Sequence, residues 1–272
     1  MRVMTTHKKY CKIKLMKTYK LSKQKNIRDL GGLVGYQGKK VKNKKIFRGG
    51  FIPSLTNEDK AIIDGFHLTD VVDFRGSYEF KFKPEVKLGN VRYHNFPPLI
   101  ENVAEEHKHN DDGNLLWFVG KDKTGYQHMF ETYGEMIKAE EAKKAYRNFF
   151  RLLQSSDDLV VYFHCSQGKD RAGMAAYFLE TALGVSEEDK IADYLLSNEA
   201  MKERARSAAN AVKDKPFYNE EYEQSLYDVF SAKIEFLENA KKSMIEVSGS
   251  VIEYIIKELG ADIDKLRKIY LE

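Results

Sequence analysis

The stretch Phe163-His-Cys-Ser-Gln-Gly-Lys-Asp-Arg-Ala-Gly173 decides the fold of this chain. It continues an apolar run, residues 159–163, which is short, unbroken and rich in β-branched and aromatic side chains, as in a strand buried on both faces. An alanine-rich segment, residues 174–183, follows it and contains no Gly or Pro before Gly184, which is placed to end a helix. We therefore predict a strand, a tight loop and a helix N-terminus in direct succession.

Such a loop at the start of a helix is suited to an anion. The backbone N–H groups of residues 166–171 can point into one concavity, and the first helical turn adds unpaired N–H groups and the positive end of its dipole. Arg171 can hold two phosphate oxygens at once. The same positive field favours the thiolate of Cys165, which would then be a nucleophile in line with a bound phosphorus atom. No metal or other cofactor is needed, because fixed N–H groups and the guanidinium supply the charge.

The motif His164-Cys165-x-x-Gly168-Lys169-Asp170-Arg171 resembles the signature of the bacterial atypical protein tyrosine phosphatases, the protein tyrosine phosphatase B-like group. Four more blocks are similar to that family in the same order. They are Asn26-Ile-Arg-Asp-Leu-Gly-Gly32, Phe47-Arg-Gly-Gly50, Val71-Val-Asp-Phe-Arg75 and Asp193-Tyr-Leu195 with Ser197-Asn198. The resemblance implies an α/β, cysteine phosphatase-like fold with a mainly parallel central sheet flanked by helices and a helical insertion or lid.

The resemblance also implies roles for the residues of the loop. The phosphate would be held by Ser166, Gln167, Gly168, Lys169, Asp170 and Arg171. Cys165 would form a cysteinyl-phosphate and Asp170 would protonate the leaving oxygen. Lys169 is tied in the family to polyanionic substrates, including phosphoinositides, and His164 would tune the loop through hydrogen bonds.

A second carboxylate, Asp73, is also a candidate for the general acid. Asp73 lies at the end of a predicted strand, residues 69–74, and therefore at the edge where open α/β sheets place their sites. It could orient Arg171, share the proton transfer, or serve only as the structural partner of an arginine, with Arg75 as a supporting residue. The sequence leaves these alternatives open.

One residue departs from the family pattern. The family usually carries Ser or Thr after the arginine, where a hydroxyl can stabilise the departing thiolate, and this chain has Ala172. Ser166 could substitute for that hydroxyl. If it does not, we expect hydrolysis of the phosphoenzyme to be slow.

Composition limits the remaining possibilities. The 272 residues carry 45 Lys and Arg against 41 Asp and Glu, a net charge of +4 that is spread along the chain and suits an acidic substrate without requiring nucleic acid. Two cysteines, Cys11 and Cys165, give no disulfide framework. Neither an apolar run of membrane-spanning length nor a signal peptide is found, so we expect a cytoplasmic protein or one exported without a recognisable signal.

We expect residues 1–20 to form a basic N-terminal extension, either flexible or paired as an edge strand, and residues 21–272 to form a single phosphatase domain. Its catalytic loop would be 164–173 and its helical C-terminal part 199–272. The polar residues 100–125 suggest an ordered flap around Trp117 and Phe118. Residues 125–150 carry helical periodicity.

Three functions fit these observations. The first is a cysteine-dependent phosphomonoester hydrolase, a protein tyrosine phosphatase acting on phosphotyrosine proteins or peptides, with phosphoserine and phosphothreonine as further substrates. The second is the same chemistry on phosphoinositides, suggested by Lys169. The third is a phosphate-binding module with weak catalysis, suggested by Ala172.

Overall fold

The structure is a computed structural model that describes residues 16–99, 124–214 and 218–272. Its six-stranded sheet has the order β1-β2-β3-β6-β4-β5. The strands are β1 (Thr18–Tyr19), β2 (Ile27–Asp29), β3 (Ile46–Gly50), β4 (Asp70–Asp73), β5 (Arg92–Asn95) and β6 (Val161–Cys165). The strands β3, β6, β4 and β5 run parallel, and β1 and β2 extend one edge by antiparallel pairing. The predicted mainly parallel sheet is confirmed.

Ten α-helices lie within the described residues. They are α1 (Asn57–Asp64), α2 (Ser77–Phe82), α3 (Gly125–Lys138), α4 (Glu140–Leu153), α5 (Arg171–Ala182), α6 (Glu187–Val212), α7 (Glu220–Phe230), α8 (Ile234–Ser248), α9 (Val251–Lys257) and α10 (Ile263–Tyr270). Most of residues 199–272 are therefore helical. The division into one extension and one domain stays a prediction.

Strand β6 lies near the centre of the sheet and is buried along its whole length. Successive side chains of a strand point to opposite faces. Accordingly Phe163 belongs to the larger hydrophobic core cluster of the protein, whereas Tyr162 belongs to a smaller cluster together with Phe47 and Phe66. Burial on both faces fixes the register of this strand, and with it the position of Cys165 at its end.

Two local expectations are refined by the structure, and a third lies outside the described residues. The predicted edge pairing of the N-terminal extension is seen at Thr18–Tyr19, whereas residues 1–15, including Cys11, lie outside the described residues. Residues 100–123 of the predicted flap, with Trp117 and Phe118, also lie outside them. The helical run over 125–150 is two helices, because Ala139 has an extended backbone (φ −70°, ψ 136°).

Candidate active site

The motif of residues 163–173 has the predicted geometry of strand, loop and helix. Cys165 is the last residue of β6 and is only 2% exposed, and α5 begins at Arg171. Gly168 between them has φ +72°, a left-handed conformation that glycine adopts without strain. An ideal Cβ on Gly168 would lie 2.6 Å from the backbone nitrogen of Gly50 and closer still to the carbonyl of Gly49, so β3 passes directly against the loop.

The backbone N–H groups of residues 166–171 find no protein acceptor within the part of the chain that the structure describes. A run of six such donors is rare, because nearly all backbone N–H groups in folded proteins are paired. Together with a left-handed residue in the loop and a helix N-terminus behind it, this is the chemistry of a backbone anion site.

The carbonyl groups of the loop, in contrast, are held from outside. Asn26 donates from Nδ2 to the carbonyl of Gln167 at 2.8 Å, and Arg48 donates from Nη2 to the carbonyl of Gly168 at 2.8 Å. Because a peptide plane turns its C=O and N–H in opposite directions, fixing these two carbonyls also fixes the N–H groups of Gly168 and Lys169. Two of the family-like blocks therefore support the loop.

A buried group of charges anchors these supports. Asp193 accepts from Arg28 Nε at 2.6 Å and also binds Nη1 of Arg48, and all three side chains are almost fully buried. Burial works against the carboxylate, but the two guanidinium groups outweigh it and lower the pKa of Asp193. Within the described residues Glu180, which is nearby, has no hydrogen-bond partner, and burial together with the charge of Asp193 raises its pKa well above the usual range.

Arg171 has a carboxylate partner that the sequence did not predict. Glu79, in α2, binds both terminal nitrogens of Arg171, at 3.1 Å for Nη2, and accepts from the hydroxyl of Ser166. Burial works against the charged carboxyl, but the charge and hydrogen bonds of Arg171 and the bond from Ser166 lower the pKa of Glu79 to about 2. The Ser166 hydroxyl is thus engaged by Glu79, and Nε of Arg171 has no protein partner within the described residues.

Asp170 precedes α5, and its side chain is 24% exposed. Its Oδ1 accepts from the hydroxyl of Tyr133 at 2.8 Å and pairs with Nζ of Lys169 at 2.8 Å. Burial, followed by the charge of Asp170, raises the pKa of Tyr133 well above its usual value, so Tyr133 remains a proton donor. The carboxylate is therefore both oriented and in reach of solvent.

The predicted second carboxylate has different partners. Asp73 is 4% exposed and binds Arg75 through both oxygens, at 2.7 to 3.0 Å, so among its alternatives the contacts favour the structural partner of an arginine. Arg75 also donates to the carbonyl of Lys83 and stacks on Phe51 at 4.2 Å. Within the described residues, Asp73 and Arg171 form neither a hydrogen bond nor an ion pair.

His164 precedes Cys165 in β6 and lies between two carboxylates. Its Nε2 is 2.9 Å from Glu85 and its Nδ1 is 3.8 Å from Asp73. Burial disfavours the charged imidazole, but Glu85 and then Asp73 outweigh it and raise the pKa of His164. Asp73, Glu85 and His164 have the spacing of metal ligands, yet Asp73 already binds the Arg75 guanidinium, whose charge opposes a cation there.

The structure thus brings Cys165, Asp170 and Arg171 to one loop and leaves Asp73 with Arg75. Sequence reasoning missed Glu79, Glu85 and Tyr133. Glu79 carried one usable signal, since it lies six residues beyond the C-terminal end of β4, the sheet edge where a site was expected. Tyr133 and Glu85 carried none, because their contacts cross 37 and 79 residues of sequence.

The chain is similar to known phosphatases. The model of the tyrosine phosphatase family matches residues 19–272. A Cupriavidus necator protein named "Putative tyrosine-protein phosphatase" is 29% identical over 254 residues, 90% of this chain and 85% of that protein. The Mycobacterium tuberculosis protein named "Triple specificity protein phosphatase PtpB" is 22% identical over 255 residues, 84% of this chain and 91% of that one. Among the described helices, none is both long and apolar enough to span a bilayer.

Proposed function

This chain belongs to the tyrosine phosphatase family, and from that premise we propose that it hydrolyses phosphomonoesters through a cysteinyl-phosphate formed on Cys165. The observation that carries the proposal is the loop itself. The six consecutive backbone N–H groups from Ser166 to Arg171 have no protein acceptor within the described residues, and Asn26 and Arg48 hold two carbonyls of the loop from outside. Donors fixed in this way stabilise the charge on the equatorial oxygens of a phosphoryl group in the transition state.

In the proposed first step, the Cys165 thiolate attacks phosphorus and the ester oxygen leaves. Arg171 binds two phosphate oxygens. Glu79 and the carbonyl of Phe74 already engage its terminal nitrogens, so Nε–H and the neighbouring Nη2–H form the edge that remains for the substrate. Glu79 therefore acts as a positioning residue for Arg171.

We assign the general acid to Asp170 rather than Asp73. A general acid must reach the leaving oxygen, and Asp170 is the more exposed of the two and lies within the loop. Asp73 is bound through both oxygens to Arg75 and is almost completely buried. In the second step a water molecule attacks phosphorus, the thiolate leaves, and Asp170 takes the proton of the water.

The substrate we propose is a phosphotyrosine protein or peptide. The name of the mycobacterial relative speaks of triple specificity, which motivates assays on phosphoserine and phosphothreonine peptides as well. Phosphoinositides are the weaker candidate, because the Lys169 ammonium that suggested them is 2% exposed and has three protein partners.

The second step should be slow, because Ala172 offers no hydroxyl to the departing thiolate and Ser166 is bound to Glu79. Rapid-quench kinetics on an aryl phosphate should therefore show a burst of phenol release equal to the enzyme concentration. Normal turnover without a burst would show that release of phosphate from Cys165 does not limit the rate.

The decisive experiment is hydrolysis of p-nitrophenyl phosphate in EDTA by the wild type, Cys165→Ser and Asp170→Asn. We expect turnover by the wild type and none by Cys165→Ser. Asp170→Asn should lose ~10²–10⁴-fold on phenyl phosphate, the usual contribution of a general acid, and less on p-nitrophenyl phosphate, whose leaving group depends less on a proton. A wild type that binds phosphopeptide without turnover would instead establish the phosphate-binding module.

A further inference from the structure

The Lys169 side chain is 2% exposed, and its ammonium is enclosed by protein acceptors. Nζ lies 2.8 Å from Oδ1 of Asp170, 2.9 Å from the carbonyl of Val229 and 3.1 Å from the carbonyl of Ser231. An ammonium has three N–H donors, and these three acceptors account for all of them. Lys169 therefore has no donor left for a phosphate group of the substrate.

Two of these acceptors belong to the end of a helix. Val229 is the next-to-last residue of α7, and Ser231 follows that helix. The last carbonyls of a helix lack intrahelical partners and carry the negative end of its dipole, so a cation is favoured there. Lys169 thus connects the catalytic loop to the junction between α7 and α8, residues 229–233.

The junction is also fixed from its other side. Asn198, in α6, donates to the carbonyl of Ala232 at 2.9 Å and accepts from the N–H of the same residue at 2.7 Å. A pair of opposed hydrogen bonds to one residue holds both its position and its orientation. The carbonyls that bind Lys169 therefore belong to a junction that hydrogen bonds to Asn198 hold in place.

At the loop, both donors to Asp170 use one oxygen. Tyr133 and Lys169 each bind Oδ1, and Oδ2 has no protein partner within the described residues. A proton on Oδ1 would conflict with two donors, so the proton of the acid must reside on Oδ2. The network thereby selects which oxygen of Asp170 faces the leaving group.

We propose that Lys169 is a positioning residue for Asp170, not a ligand of the substrate, and that it makes the geometry of the acid depend on the α7–α8 junction. The inference rests on the proposed function, since it assumes that Asp170 is the general acid. It predicts that disturbing either end of the connection impairs proton donation while phosphate binding persists.

The test compares kcat/KM, which reports the steps up to the phosphoenzyme, for phenyl phosphate and p-nitrophenyl phosphate. Phenolate is a poorer leaving group than p-nitrophenolate, so its departure depends far more on protonation by a general acid. We expect Lys169→Met to lower kcat/KM by ~10²-fold for phenyl phosphate, the lower range for a general acid, and far less for p-nitrophenyl phosphate. The inhibition constant of inorganic phosphate should be unchanged.

Lys190→Met is the matched control, because Lys190 is also buried and bound, to Glu187 at 2.8 Å and Thr181 at 3.0 Å. It should leave the ratio of the two substrates unchanged. A weaker inhibition by phosphate with equal losses on both substrates would overturn the inference and make Lys169 a ligand. A selective loss on a short-chain phosphatidylinositol phosphate would overturn it in the same way.

Asn198→Ala is an independent test of the connection, because it disturbs the α7–α8 junction and leaves Lys169 intact. It replaces the first test if Lys169→Met does not fold. It should also lower the rate on phenyl phosphate more than on p-nitrophenyl phosphate, and an unchanged ratio would overturn the connection to the junction. The wild type and Cys165→Ser separate the two proposals. If the wild type turns over neither ester, the proposed function fails before this inference is judged.

Discussion

Replacing Gly168 with alanine tests two requirements of the loop at this position, one for backbone conformation and one for space. The position requires a left-handed backbone, φ +72°. It also requires space against β3, because backbone atoms of Gly49 and Gly50 lie no more than 2.6 Å from an ideal Cβ at this position. The first demand concerns conformational energy alone. The second would displace the loop, and with it the N–H groups that we assign to the phosphate.

The size of each effect follows from the geometry. A left-handed non-glycine residue costs ~1–2 kcal/mol. Carbon atoms in contact are normally ~3.5–4.0 Å apart, so the new methyl must move the loop or β3 by about 1 Å. Overpacking of this kind costs ~1–3 kcal/mol, which gives a total loss of ~2–5 kcal/mol in unfolding free energy. A displacement of about 1 Å at reacting groups can cost ~10²-fold in rate.

Gly38 offers a matched control. It has the same left-handed conformation, φ +75°, but nothing lies within 4 Å of its ideal Cβ. Urea unfolding should therefore show a loss of ~1–2 kcal/mol for Gly38→Ala with wild-type activity on p-nitrophenyl phosphate. Gly168→Ala should lose more stability and ~10²-fold in kcat/KM.

The reasoning is refuted if Gly168→Ala keeps wild-type kcat/KM while losing no more stability than Gly38→Ala. That outcome would mean that β3 does not set the position of the loop. A loss of activity without the additional loss of stability would instead point to a direct role of Gly168 in substrate binding.

Two further predictions concern the charges behind the loop. Asp193→Asn should lower the unfolding free energy by ~3–5 kcal/mol in urea titrations, because it leaves two buried guanidinium groups without their shared carboxylate; a loss below 1 kcal/mol would contradict the charge cluster. Glu85→Gln tests the raised pKa of His164. A raised pKa means that the charged imidazole of His164 stabilises the fold fully below the unfolded pKa of about 6.5, and that this stabilisation is lost as pH rises through the folded pKa. The difference in unfolding free energy between the wild type and Glu85→Gln should therefore shrink from pH 6 to pH 9. A difference that stays constant over this range would contradict the raised pKa.

The sequence predicted the local geometry of the site because that geometry is encoded locally. The apolar run, Gly168 and the helix-forming segment are contiguous, and each restricts the backbone at its own position. The family-like blocks could be located as well, yet the sequence did not reveal what they do. In the structure Asn26 and Arg48 hold the loop carbonyls, and Arg28 pairs with Asp193 across 165 residues.

Pairings of this kind could not be predicted because they depend on packing between distant elements. Lys169 illustrates the difference. From its place in the motif it was expected to bind polyanions, whereas its ammonium reaches Val229 and Ser231, about sixty residues further along the chain. Nothing in the periodicity of residues 199–245 marks the end of α7 as an acceptor for that lysine.

The side-chain charges that touch the loop are nearly all paired. Arg48 is bound to Asp193, Arg171 to Glu79, and Lys169 to Asp170. Because each of these three cations is paired with a carboxylate, the attraction that we propose for phosphate would come mainly from the fixed backbone N–H groups and the remaining edge of Arg171. Such donors act only within hydrogen-bonding distance, whereas free charges would attract any anion over a Debye length of about 8 Å. We therefore expect such a loop to discriminate by fit to one tetrahedral group, which would favour a simple phosphomonoester over a polyanion.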